Sequence, residues 1–236
     1  MGRKCTEGRW VVRPFVFKRA DSLWPEGSTL LHVYLCVGPD RDRALTRLVT
    51  SAHEALKGFA VAPVPPHWLH ITLDQITDRS AALISQGERD ALVAELGARL
   101  ADFSPFEVQV GSLLSYHSGV IADLHPDDGI VALHRAVREA IRAVRGDEAV
   151  RYPWGVQHLT VAYASGAVSS DDAQRLLRRV RPSHASLHVT EVQLVDVTAN
   201  SPAKTITWER LATIPLGSTS GTPGEHVGAG GPRPSC

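Results

Sequence analysis

Two hydrophobic periods alternate along this 236-residue chain. Residues 30–37 are almost continuously apolar, the pattern of a buried strand. Over residues 40–59 the period becomes helical, with Leu45, Leu48, Val49, Ala52 and Leu56 on one face. Pro63, Pro65 and Pro66 break the chain ahead of a strand over 67–76. A second helix over 87–103 carries Leu92, Val93, Leu96 and Leu100 on one side. Phe106, Val108 and Val110 then alternate with Glu107 and Gln109 as a half-buried strand, which 120–124 joins after a turn near Ser118 and Gly119. Asp127 or Asp128 can cap a third helix over 129–144, ended by Gly146. A strand over 155–163, a helix over 171–180 and two long strands over 186–197 and 204–214 follow.

The flanks read differently. Residues 1–29 form an N-terminal arm, the most basic part of the chain, with Pro14 confining any strand over 10–17 to a sheet edge. Its arginines and lysines read as a solvated face. Residues 217–236 are rich in glycine and proline and read as a disordered tail. Between them, residues 30–216 form a two-lobed domain.

Two strands carry the same tetrad: His70-Ile71-Thr72-Leu73 and His158-Leu159-Thr160-Val161. Strand alternation points each histidine and its threonine to one face and the apolar neighbours to the other. With 11 histidines in the chain, a single His-x-Thr is within chance. A third copy, His188-Val189-Thr190, has Glu191 in fourth place and runs straight into another strand, so His188 reads as a surface or satisfied sheet histidine. The two matched histidines are 158 − 70 = 88 residues apart, too far for one supersecondary unit. The order strand, helix, motif strand, helix occurs twice, which predicts an α+β fold of two pseudo-symmetric lobes sharing a central cleft.

Such a quartet suits phosphodiester chemistry. One imidazole can activate water while the other protonates the leaving oxygen. The hydroxyls of Thr72 and Thr160 can donate to the non-bridging phosphate oxygens as charge builds. Which histidine is the base is open at this level. Possible substrate contacts are Arg151, just before the second motif, the flanking aromatics Trp154 and Tyr163, and Tyr116 in a loop between strands. No metal-ligand spacing lies beside either motif, so no metal or cofactor is expected.

The paired motifs resemble the duplicated signature of the 2H phosphoesterase superfamily, and within it the bacterial 2′-5′ RNA ligase / RNA 2′,3′-cyclic phosphodiesterase family. The resemblance spans about residues 30–216. It implies two lobes, each an antiparallel sheet with outer helices, around the cleft. It also implies metal-independent cleavage of a cyclic or 2′-linked phosphodiester. Two positions depart from the family pattern. Val161-Ala162-Tyr163-Ala164 lacks the arginine many members carry after the second motif, and the first motif continues as Asp74-Gln75-Ile76, where a large apolar residue is common.

Charge and cysteine content narrow the partner. A formal net charge of zero argues against a grip on long nucleic acid and for an RNA end or a small cyclic nucleotide. Cys5, Cys36 and Cys236 give no disulfide framework, and no apolar run reaches membrane-spanning length. A cytoplasmic monomer hydrolysing a 2′,3′-cyclic phosphate is the expectation. The alternatives are the same chemistry on a cyclic nucleotide-like metabolite, and a non-catalytic RNA- or nucleotide-binding protein.

Overall fold

A computed structural model describes residues 11–153 and 155–217. In chain order its strands are β1 (Val11–Val12), β2 (Lys18–Arg19), β3 (Ser22–Leu23), β4 (Leu30–Cys36), β5 (Val61–Pro63), β6 (His70–Gln75), β7 (Phe106–Tyr116), β8 (Gly119–His125), β9 (Leu159–Ala164), β10 (Val168–Ser169), β11 (Ala185–Val189), β12 (Glu191–Asn200) and β13 (Thr205–Pro215). The α-helices are α1 (Arg43–Ala55), α2 (Gln86–Leu100), α3 (Asp128–Arg145) and α4 (Ser170–Leu177).

The long strands form two antiparallel sheets, ordered β13-β12-β4-β6 and β11-β7-β8-β9-β5. Each lobe is one sheet with helices outside, as expected. The repeat expected from element order is β4-α1-β6-α2 and β8-α3-β9-α4. Its halves are interleaved. Helix α1 follows β4 yet packs on β9 and β11 of the other sheet, while α3 follows β8 yet packs on β6 and α2. One continuous core results, containing Leu45 and Leu48 from α1 and Leu133 and Val137 from α3. Leu69, Ile71 and Leu73 are wholly buried in it, each contributing about 1.5–3 kcal/mol by removal from water.

Some boundaries differ from the sequence pattern. The expected strand over 186–197 is two strands in different sheets, because the chain leaves the five-stranded sheet at Thr190. Strand β7 runs to Tyr116, beyond the alternating stretch, because a register shift between Val110 and Leu113 breaks the period there. Helix α2 opens on a reciprocal cap in which Ser85 and Glu88 bond each other's backbone amides.

Residues 11–29 are fastened to the body. Val11 and Val12 pair with Ser169 and Val168, the Phe15 amide donates to the Ala164 carbonyl, and Phe17 is buried against Tyr163. Within this segment Lys18 is exposed and Arg19 half-exposed. Residues 1–10 and the Gly/Pro-rich stretch beyond Gly217 lie outside the described residues.

Candidate active site

Each motif strand carries one extra residue immediately after its threonine. On β6, Tyr34 pairs with Thr72 and Val33 with Asp74, so Leu73 has no partner. On β9, Ile121 pairs with Thr160 and Val120 with Ala162, so Val161 has none. These are matched β-bulges, and a bulge reverses which face later residues occupy. Gln75 and Tyr163, each three residues past its threonine, therefore join the threonines in lining the cleft. Asp74 turns the other way, to Arg138 on α3, at 3.2 Å.

The bulge carbonyls also have matched partners. His134 Nδ1 on α3 donates to the Leu73 carbonyl at 2.8 Å, and His53 Nε2 on α1 donates to that of Val161 at 2.9 Å. A carbonyl can only accept, so each imidazole is the donor. The crossing helices thus fix the bulges that orient the site.

His70, Thr72, His158 and Thr160 line a single cleft of about 440 Å³, within the usual range for small-molecule sites. Both histidines are held alike: His70 Nδ1 donates to the Trp68 carbonyl and His158 Nδ1 to the Val156 carbonyl, each at 2.9 Å. With Nδ1 committed as donor, the neutral ring keeps its lone pair on Nε2. Two equivalent basic atoms are therefore available to one cavity.

Their surroundings differ. His70 is only 6% exposed, and burial lowers its pKa to about 4; the Trp68 bond opposes that shift and the nearby His158 adds to it. Tyr34 lies flat on the His70 ring, with centroids 4.1 Å apart, and Trp208 meets His70 edge-on at 4.9 Å. His158 is half-exposed, on the loop entering β9. That loop is tied down by Arg138, which donates to the carbonyls of Val150 and Tyr152 while pairing with Asp74.

Among the other expected contacts, Tyr116 and Tyr163 line the cleft. Arg151 does not: it is exposed and pairs with Glu148. An arginine so close to a neighbouring carboxylate is held at the surface, away from the cavity. Trp154 lies outside the described residues. His188 is remote from the quartet's cavity, 54% exposed in its side chain and 3.2 Å from Glu107 across the sheet. Sequence reasoning passed over Tyr34, His32, Gln75, Lys18 and Asp123, all of which line the cleft. His32 and Tyr34 share a face of β4 by simple alternation, but only the register of β4 against β6 shows that this face meets Thr72.

A family model described as the 2′-5′ RNA ligase superfamily matches residues 39–200, well over half of the chain. The chain belongs to this superfamily. Its membership in the 2′-5′ RNA ligase superfamily makes it an enzyme of the phosphoesterase type. Solved structures agree on the fold. TT0787 of Thermus thermophilus is 22% identical with a TM-score of 0.61, covering 80% of this chain and 99% of that one. E. coli LigT in apo form is 16% identical with a TM-score of 0.54, over 81% and 99%. E. coli LigT complexed with 3′-AMP is 15% identical with a TM-score of 0.58, over 80% and 98%. No curated protein sequence matches.

Proposed function

We propose that this protein hydrolyses a 2′,3′-cyclic phosphate by metal-independent general acid and base catalysis, with His70 as base and His158 as acid. The observation that carries the reading is the matched pair of histidines in one cleft, each committed at Nδ1 to the carbonyl two residues earlier. His70, whose pKa burial lowers to about 4, is neutral at physiological pH and ready to take a proton from water. His158, nearer solvent, delivers the proton to the departing ribose oxygen. Thr72 and Thr160 donate to the two non-bridging oxygens. Water adds to phosphorus, one ribose oxygen leaves, and a phosphomonoester remains on the other.

The cavity favours a single nucleotide, free or at an RNA end, over a long strand. Its volume is about 440 Å³, and Lys18 is the one lysine or arginine lining it among the described residues. That sparse charge suits one phosphate rather than a tract of them. The binding of 3′-AMP by the similarly folded LigT is in keeping with a nucleotide ligand. The test is turnover of 2′,3′-cyclic AMP against that of a short RNA with a cyclic phosphate end, with and without EDTA. Undiminished turnover in EDTA and a two-limbed pH profile support the reading. Activity abolished by EDTA and restored by a divalent metal contradicts it.

A further inference from the structure

The edge of the five-stranded sheet is notched beside the catalytic cleft. Strand β11 pairs with β7 from Phe106 to Val110 and then leaves it. Beyond that point the Gln174 side chain of α4 takes a strand's place. Its Oε1 accepts from the Ser115 amide at 2.7 Å, and its Nε2 donates to the Leu113 carbonyl at 3.1 Å. Between α4 and residues 181–184 opens a second cavity of about 500 Å³. Leu114 lines both this notch and the catalytic cleft, so the two meet at that side chain. Gly111 seats the far wall. A Cβ there would lie 2.4 Å from the Ser183 carbonyl oxygen and 2.8 Å from the His184 ring, so only a bare backbone lets residues 183–184 rest on β7.

The notch carries the charge that the cleft lacks. Arg178 and Arg181 line it together with Ser183 and His184, and among the described residues no aspartate or glutamate does. Arg175, one turn earlier, is paired with Asp172 at 3.0 Å. The exposed Arg178 side chain makes no ion pair or hydrogen bond among the described residues. Arg181 gives Nη1 to the carbonyls of Arg178 and Val180, which fixes its guanidinium at the end of α4 and leaves its other N–H groups unspent among the described residues. Two guanidiniums without a carboxylate partner suit a phosphodiester, whose oxygens accept from their planar fork of donors. The His184 ring and the apolar side chains of Leu114 and Leu177 offer a surface for a base or ribose beside it.

We propose that this notch is a second nucleotide site, which holds the one or two nucleotides next to the cyclic end of an RNA while that end occupies the catalytic cleft. The chain would leave the cleft over Leu114 and lay its next phosphodiester between Arg178 and Arg181. The substrate is then an RNA end rather than a free nucleotide, a choice that rests on the phosphodiesterase reading above. Continuity with the cleft is what selects an oligonucleotide over an unrelated anion. Two arginines serve one or two phosphates, so the site is compatible with a chain of zero net charge that does not grip long nucleic acid.

Steady-state kinetics on the full-length protein test the site, with 2′,3′-cyclic AMP compared with adenylate di- and trinucleotides that end in the same cyclic phosphate. Wild type should prefer the trinucleotide by about tenfold in kcat/KM. Arg178→Glu should erase that preference and leave turnover of cyclic AMP unchanged, which also reports an intact fold. Arg178→Gln, which removes only the charge, should lower the preference part-way. Added salt should shrink it too, with log kcat/KM for the longer substrate falling about 0.7 further per log unit of salt for each extra phosphate held. No preference for chain length in wild type, or equal losses on both substrates in the variants, overturns the proposal. A wild type that turns over neither substrate refutes the phosphodiesterase reading instead. The notch is then judged by fluorescence anisotropy with a labelled adenylate trinucleotide carrying a 3′-phosphate. Binding about tenfold weaker in Arg178→Glu supports the site, and unchanged binding overturns it.

Discussion

His70 and His158 make the same backbone bond but differ in burial, and the proposed division of labour rests on that difference. A base must be deprotonated to act, so activity is lost as pH falls through the pKa of His70, lowered by burial to about 4. The acid limb of kcat/KM in free enzyme should therefore fall well below the ordinary histidine value, near 4; a limb between 6 and 7 would contradict the buried His70 as the base. Protonation also links to stability. His70 and His32 refuse protons, with pKa values of about 4 and 3, that the unfolded chain accepts from 6.5 downward, so both weaken the fold as pH drops below 6.5. Asp74 opposes them. Burial first of all raises its pKa from 3.8 to about 7, so the folded chain gains relative stability as pH falls through that window. Asp74→Asn removes the opposing effect. Urea melts at pH 7 and 5.5 should show a larger acid loss in Asp74→Asn than in wild type, by on the order of 1 kcal/mol; an equal or smaller loss contradicts the assignment. The quartet itself was legible in the sequence because i, i+2 spacing needs only a strand. Tyr34 was not, because its place opposite Thr72 depends on cross-strand register.

The two bulges give the His-x-Thr strands their second half. An apolar residue after each threonine looked like one more core position; Leu73 and Val161 are core, and they are also the residues that shift the register. Hydrophobic pattern alone cannot show a bulge when the inserted residue is itself apolar. The break in alternation at Asp74-Gln75 was its only trace in the first motif. Strand β5 was hidden for a related reason: Val61, Ala62 and Pro63 are too short and too proline-rich a run to read as a strand, and they pair only at the sheet edge. If His134 secures the Leu73 bulge, His134→Leu leaves that carbonyl without this donor and should cost about 1–3 kcal/mol by urea denaturation. It should also lower kcat, because Thr72 and Gln75 depend on that turn of the backbone. A variant as stable and active as wild type would show that the bulge holds without its histidine.

At the scale of the molecule, the lobes are joined by exchange rather than by a hinge between successive halves. The sequence showed the doubled order of elements but not that α1 and α3 cross over, since either side of a sheet can accept an apolar helix face. Arg138 is where the crossing matters most: from α3 it reaches Asp74 on β6 and the loop that carries His158. Arg138→Met should destabilise by about 1–3 kcal/mol, because it leaves the Val150 and Tyr152 carbonyls without this donor and removes the cation that opposes the burial-raised pKa of Asp74. Adding Asp74→Asn should recover part of that loss, and an additive double variant would deny the coupling.

The proposed mechanism has both histidines transferring protons at one phosphate. Its most direct measurement is turnover of 2′,3′-cyclic AMP by wild type, His70→Ala and His158→Ala, with nucleotide binding followed by calorimetry on the same samples. Each variant should lose about 10²–10⁴-fold in kcat while still binding nucleotide. Wild-type turnover that survives either substitution, or binding with no turnover in wild type, would contradict it.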